Sequence, residues 1–403
     1  MGVSNFGISI PADPATSTVL DDYSVALTAL LDAIAATAAQ RDETGGTALH
    51  ERTLIRQSGL LLLTIPKIYG GAGGNLNDAL HVARRIAAVD SSLAHLFAFH
   101  HFQLATLRFY APETQWGALF ADTATHGWFW GNALNPLDTR TVLTRHDGQF
   151  LINGEKSFCS GATDSDMLVV SALLDGVLKV TAIPTGRSGI TVHDDWDNMG
   201  QRQTDSGSVS FINVRVSESE FLQSPGPLGS PFASLRSTVG QLILTNVYLG
   251  IAQGALDEAR RYVRESARPW LTSGVSRVED DPYVLRNFGE LWTEVAAARA
   301  LTDEAQSKLQ KALDLGDRVT PEIRGDVAVA VSTAKVISSR AGLNVSSRIF
   351  DVMGARATTR KLRSDRFWRN VRTHTLHDPV DYKLRELGVW FLTDEIPKPS
   401  FYS

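Results

Sequence analysis

Residues 366–379 read R-F-W-R-N-V-R-T-H-T-L-H-D-P and hold three arginines and two histidines. An imidazole can give, take or relay a proton near neutral pH, and a guanidinium is a fixed cation with a planar fork of donors. His374 and His377 are three apart, a spacing that puts both on one face of a helix. Such a pair can pack, bind a metal or serve in acid–base work. No cysteine or carboxylate cluster accompanies it to complete a metal shell, so no metal is expected, and His374 is read as structural. A second group, His95, His100 and His101, lies in L-A-H-L-F-A-F-H-H and can equally be satisfied core histidines. Cys159, in F-C-S, is the only cysteine. It is read as buried and inert, and it excludes an intrachain disulfide and a cysteine zinc site.

These residues need a scaffold, and the composition allows a large one. The chain has 403 residues, enough for two or three lobes. It is 43% hydrophobic and 21% charged, with a net charge of −5, which offers no basic field for a nucleic acid. The longest apolar run, around Leu60 to Leu63, is too short to span a bilayer, so no membrane is expected. The opening M-G-V-S-N-F-G-I has no basic and apolar leader pattern. A cytoplasmic protein is expected.

Three textures follow one another. Residues 1–122 are rich in alanine and leucine and predict an N-terminal helical domain. The loop I-P-K-I-Y-G-G-A-G-G-N (65–75) interrupts it. Residues 123–228 carry short runs with β-branched residues: T-V-L-T-R, Q-F-L-I, M-L-V-V-S-A, L-K-V-T-A-I and S-V-S-F-I-N-V-R-V. They predict a central β domain, barrel-like, with turns at Asp147-Gly148 and Asn153-Gly154. Residues 229–403 predict a C-terminal four-helix bundle. Tyr283 to Leu313 is amphipathic, and Thr320-Pro321-Glu322 starts a helix that should stop at Gly354. The fold class is therefore α+β.

Four segments in this order resemble the acyl-CoA dehydrogenase family: I-P-K-I-Y-G-G-A-G-G, G-Q-F-L-I-N-G-E-K-S-F-C-S-G-A, N-M-G-Q-R-Q-T-D-S-G-S-V-S-F-I-N-V-R-V and L-G-I-A-Q-G-A-L-D-E-A-R-R-Y. The resemblance covers nearly the whole chain. It implies a flavin held between the β domain and the helical layers, and a homotetramer. One departure matters. Where one large subgroup of dehydrogenases keeps a catalytic glutamate, this chain has H-T-L-H-D-P. A dehydrogenase needs a carboxylate to take the α-proton of its thioester. Asp257 and Glu258 lie where another subgroup keeps it, but on a charged stripe that points to solvent.

The segments D-D-W, R-Q-T-D-S-G-S, F-C-S-G-A, A-R-P-W and R-F-W-R-N-V-R-T-H-T-L-H-D-P resemble the dibenzothiophene monooxygenase branch. That branch contains two-component flavin monooxygenases, with relatives that oxidise indoles in natural-product biosynthesis. The resemblance implies reduced flavin (FMN or FAD) from a separate NAD(P)H-dependent flavin reductase. It implies O2 as co-substrate, a flavin C4a-(hydro)peroxide, and an aromatic heterocycle of indole or thiophene type as substrate. The alternatives are an acyl-CoA dehydrogenase-like oxidoreductase and an amine N-hydroxylase. By resemblance Ser160, His377, Asn132 and His95 are catalytic candidates. Asn132, Ser160, Trp196, Arg268, Arg356, Arg372 and His377 are cofactor-binding candidates, and Phe99, Phe158, Trp196 and Arg236 are substrate-pocket candidates. The bland readings are packing for Trp196 and a solvated or salt-bridged face for the arginines of 360–372. Phe99 stands where the dibenzothiophene enzymes have a tyrosine, and Arg236 where they have an apolar aromatic. An inward Arg236 would favour a polar or carboxylated substrate.

Overall fold

A computed structural model describes residues 17–146 and 148–403. The opening residues and Asp147 of the expected Asp147-Gly148 turn lie outside the described residues. Helices come first: α1 (Val19–Asp22), α2 (Ser24–Thr44), α3 (Leu49–Gln57), α4 (Leu76–Val89), α5 (Ser91–Tyr110) and α6 (Glu113–His126). The expected loop at 65–75 holds one short 3₁₀ turn and leads into α4, where Asn75 and Asp78 form a reciprocal capping box.

Seven strands follow: β1 (Trp130–Ala133), β2 (Val142–His146), β3 (Gln149–Lys156), β4 (Met167–Leu174), β5 (Val177–Pro184), β6 (Ile190–Val192) and β7 (Val209–Val216). The strand order is β1-β4-β2-β3-β7-β6, with β5 pairing β4. β4 takes β5 along one edge and β1, then the end of β2, along the other, which curls the sheet. Its own core includes Ile152, Leu168, Val170, Ile183 and Phe211. The expected turn at Asn153-Gly154 is instead an irregularity inside β3, where the register against β7 shifts between Ile152 and Gly154. Gly154 has φ +120°, and a Cβ there would lie 2.1 Å from the Arg140 carbonyl oxygen.

The last part is helical: α7 (Pro231–Glu265), α8 (Pro282–Leu315), α9 (Pro321–Met353), α10 (Asp365–His374) and α11 (Val380–Thr393). The three long helices share one starting device. Ser230, Asp281 and Thr320 cap the free amides, and proline, which has no amide to satisfy, takes the first position. The α9 bounds are those the sequence predicts, with Gly354 as the C-cap. Among the described residues α7 is long and apolar enough to cross a membrane, but 89% of its most apolar window is buried in the protein. It is a core helix, packed on α4, α5, α8 and α9. Its glycines allow this: a Cβ on Gly254 would lie 1.9 Å from the Ala88 carbonyl oxygen of α4. The buried Arg84 guanidinium then ties the layers, donating from Nε to Asn246 on α7 at 2.8 Å and pairing from Nη2 with Asp303 on α8 at 2.7 Å.

Candidate active site

Where the sheet, α5, α7 and the end of α10 meet, they enclose a cavity of about 710 Å³. That is within the range of small-molecule and cofactor sites, about 300–1,000 Å³. Each wall comes from one local pattern. On α5, His95, Phe99 and Phe102 follow at helical spacing and face inward; on α7, Arg236, Gly240, Gln241 and Leu244 do the same. From the sheet side come Asn132 on β1, Ser160 just past β3, and Trp196, Gln201, Thr204 and Ser206 from the loop between β6 and β7. Phe401 and Tyr402, near the C-terminal end of the described chain, close another side.

The sheet side carries a row of hydroxyls. Ser160 Oγ lies 2.8 Å from Ser206 Oγ, which donates to Thr204 Oγ1 at 2.8 Å. Thr204 and the Trp196 indole N–H both donate to the Gln201 carbonyl oxygen, at 3.0 and 2.8 Å. The Asn132 amide donates to the Ser160 carbonyl oxygen at 3.0 Å, and its side-chain oxygen accepts from Gln103 Nε2 at 3.2 Å. The Gln201 backbone amide donates to Asn370 of α10 at 2.7 Å, which joins this side to the histidine segment.

The opposite side holds the histidines. His95 stacks on Phe99 with centroids 3.9 Å apart, and meets His374 edge-on at 4.8 Å. All four ring nitrogens of His95 and His374 are buried and without a partner in the protein. Such orphans are uncommon in native interiors and invite a bound group that supplies the missing contacts. Burial, with the nearby His377 secondary, pushes His95 down to about 3; burial, then His95, pushes His374 well below its usual value. Both are neutral at pH 7, so each can donate from one nitrogen and accept at the other. His374 therefore departs from its structural reading. The pair is also not on one helical face: α10 ends at His374, and His377 follows in a turn whose amide donates to the His374 carbonyl oxygen at 3.1 Å. His377 lines the cavity with its side chain 38% exposed, and its Nδ1 lies 2.9 Å from Asp378 Oδ1.

Asp378 has a second partner that sequence reading missed. Lys335, 1% exposed in the middle of α9, places its ammonium 2.5 Å from the same carboxylate oxygen and also donates to the Gln241 side chain. Burial alone would raise Asp378, but the His377 hydrogen bond and the Lys335 charge hold it well below the usual carboxylate range. Burial pushes Lys335 down to about 8 against that pull. One signal was available: Lys335 is the only charged residue in the run V-A-V-A-V-S-T-A-K-V-I-S-S.

Of the sequence candidates, Ser160, His377, Asn132, His95, Trp196, Phe99, Phe158 and Arg236 all line the cavity. Arg268 and Arg356 are exposed and Arg372 is half-buried, and none of the three lines it. The neighbouring arginines form ion pairs with other helices: Arg363 and Arg369 with Asp42 of α2, and Arg366 with Glu258 of α7 at 2.6 Å. Glu258 is thus half-buried and paired rather than solvated; Asp257 is exposed as expected. Neither lines the cavity, and its one acidic lining residue, Asp197, is exposed. His100 and His101 are satisfied core residues, bonded to the Leu61 and Leu60 carbonyl oxygens at 2.8 and 3.1 Å. Cys159 is buried, and burial pushes its thiol upward.

Family models for acyl-CoA dehydrogenases match almost end to end: the N-terminal domain over residues 27–125, the middle domain over 131–214 and the C-terminal domain over 242–382. The chain belongs to the acyl-CoA dehydrogenase family. Within it, the chain is 52% identical over 372 residues to a probable FMNH2-dependent monooxygenase, SfnC, of Pseudomonas putida, covering 92% of this chain and 94% of the relative. It superposes on the methanesulfinate monooxygenase MsuC of Pseudomonas fluorescens with a TM-score of 0.93 at 51% identity, covering 96% of this chain and 100% of the other. It superposes on the dibenzothiophene monooxygenase TdsC of Paenibacillus sp. A11-2, in complex with FMN and indole, with a TM-score of 0.90 at 41% identity, covering 95% and 100%. The chain thus falls in the family's reduced-flavin monooxygenase branch.

Proposed function

We propose that the cavity binds reduced FMN, delivered by a separate NAD(P)H-dependent reductase, and with O2 oxygenates a small heterocyclic or organosulfur substrate of the indole- or thiophene-using kind. The observation that carries this reading is the pair His95 and His374, neutral and without partners, in a wall where a dehydrogenase needs a carboxylate. The residues present fit a flavin: flat aromatic walls, hydroxyl and amide donors on one side, and orphaned nitrogens on the other. The FMNH2 dependence of SfnC and the FMN held by TdsC support FMN over FAD.

When bound, the flavin supplies the electrons and the site at which oxygen is activated. The chain's own residues do the rest. Ser160 and Asn132 would hold the flavin, offering donors and acceptors along the sheet wall. Asp378 holds His377 by Nδ1, which leaves Nε2 as the atom where a proton is taken or given. Phe99, Phe102, Trp196 and Tyr402 exclude water, which limits loss of reducing power as hydrogen peroxide. Arg268, exposed beyond α7, is suited to reach the flavin phosphate of a neighbouring subunit in a homotetramer. Exposed Trp390, Phe391 and Leu392 on α11 and Trp292 on α8 support such an assembly. A cytoplasmic location suits a partner reductase.

The test is to mix FMNH2-loaded protein with O2 in a stopped-flow cell and to assay products from indole and dibenzothiophene. A transient oxygenated-flavin absorbance with oxygenated product supports the reading. Anaerobic bleaching of bound flavin by an acyl-CoA would instead establish a dehydrogenase.

A further inference from the structure

Lys335 is buried in the middle of α9, and it does not line the cavity. An ammonium there loses its hydration, a cost that needs a return. Its contacts all lead to one atom. Nζ lies 2.5 Å from Asp378 Oδ1 and also donates to Gln241 Oε1, while Gln241 Nε2 lies 3.5 Å from the same Asp378 oxygen. His377 Nδ1 lies 2.9 Å from that oxygen as well. Three elements, α7, α9 and the turn after α10, thus converge on the single oxygen that holds His377. A purely structural tie between α9 and this turn needs no charge, since well-packed apolar residues of similar size commonly serve as well or better. A cation is needed here if Asp378 must stay ionised. Asp378 does not line the cavity either, so its charge reaches the reacting space through His377.

We infer that Lys335 is a positioning residue: acting through Asp378, it fixes which nitrogen of His377 carries the resting proton and keeps a proton taken up at the other nitrogen exchangeable. This rests on the monooxygenase reading above and assigns a part of its acid–base machinery. An ionised Asp378 accepts from Nδ1–H and leaves Nε2 as the open atom. A carboxylate acting alone would also hold the protonated ring tightly, because an opposite charge this close favours the charged form. The Lys335 ammonium on the same oxygen offsets part of that pull, so the ring can return its proton. The other groups around the unit leave this balance to Lys335. His95 of α5 and His374 of α10 are neutral at pH 7, and burial keeps the Tyr248 and Tyr402 phenols protonated. Arg372 of α10 is a fixed cation, and on α11 Lys383 and Glu386 pair with each other at 3.1 Å.

The experiment uses nitrogen NMR of flavin-free protein carrying labelled histidine, so that it depends on neither loading nor turnover. The two ring-nitrogen signals report tautomer and titration together, and His377→Asn assigns them. The wild type should show His377 with its resting proton on Nδ1. Lys335→Met should raise the midpoint of the His377 titration by about one pH unit, as for one charge removed at a partly screened distance. Lys335→Arg should restore most of the wild-type midpoint. Lys335→Met combined with Asp378→Ala leaves no stranded charge and should free the tautomer, giving a mixture of the two. In the FMNH2-loaded enzyme the pH profile of kcat should follow the NMR midpoint across the variants, with KM changed by no more than about twofold. A midpoint that stays or falls in Lys335→Met, or a proton that stays on Nδ1 in the double variant, overturns the inference; if Lys335→Met does not fold, the double variant decides. Absence of oxygenated product from the wild type would count against the monooxygenase reading instead, and the NMR data would still judge Lys335.

Discussion

Acid should destabilise this protein through His95, and the size of the effect follows from its surroundings. The ring is buried, stacked on Phe99 and set against His374, and burial depresses it from 6.5 to about 3. Below about pH 6.5 the unfolded chain takes up a proton at this position, whereas the folded chain does not until about pH 3. Stability is therefore complete above that window and falls as pH drops through it. At pH 5 the difference is 1.5 units of the 6.5 reference, or about 2 kcal/mol at 1.36 kcal/mol per unit. His374 and His101 are shifted in the same direction, so the whole protein should lose more than this. The share of His95 is isolated by substitution. Urea unfolding of flavin-free wild type and His95→Phe at pH 7.5 and pH 5 gives a stability gap for each. Phenylalanine keeps the stack on Phe99 and removes the titration, so the gap should narrow by about 2 kcal/mol. An equal gap in the two proteins would mean that His95 is already charged or solvated in the native state, and the neutral-histidine wall would fall with it.

Ser160→Ala removes the end of the hydroxyl row; the share of reduced flavin lost as hydrogen peroxide should rise by roughly fivefold, as for one lost hydrogen bond, read by peroxide yield. Lys335→Met strands Asp378 and should cost roughly 2–4 kcal/mol in urea unfolding, and adding Asp378→Asn should recover more than half of it. Gly254→Ala should cost about 1–3 kcal/mol or more, because its Cβ would meet the Ala88 carbonyl of α4; the melting temperature reads this, with flavin affinity falling less than stability.

Local signals made most of the scaffold legible. Thr320-Pro321 announces α9 by a capping residue followed by proline, a signal that Ser230-Pro231 and Asp281-Pro282 repeat and that went unread, and the five longer strands announce themselves by their β-branched runs. β1 and β6, four and three residues long, carry too little pattern to be seen. Asn153-Gly154 looked like a turn because turn and bulge make the same demand, a glycine at positive φ; only the partner strand distinguishes them. The eight cavity candidates came from resemblance rather than from periodicity, since positions 95, 132, 160, 196, 236 and 377 meet only after three layers are assembled. Lys335 escaped because its partners lie 94 and 43 residues away on other elements. A charge in an apolar helical run is visible in the sequence, but its counter-charge is not.

The same arrangement explains how a dehydrogenase scaffold can serve oxygen chemistry. A base that removes an α-proton must be ionised at working pH and must stand free over the substrate. This chain has Asp378 in the segment that bears His374 and His377, but the carboxylate is paired with the Lys335 ammonium and hydrogen-bonded to His377, and it does not line the cavity. What faces the cavity instead is imidazole, neutral at His95 and His374, and tethered at His377. Neutral donors can meet a bound oxygen species without repelling it and without abstracting a proton from carbon. Among the described residues that line the cavity, Arg236 is the only arginine or lysine, and no carboxylate forms an ion pair with it. Supplying a base by His374→Glu should therefore not create a dehydrogenase, because a carboxylate at that position replaces a neutral donor without adding a site for an acyl-CoA. It should lower FMN affinity and raise peroxide release, and a gain of anaerobic flavin reduction by an acyl-CoA would refute the argument.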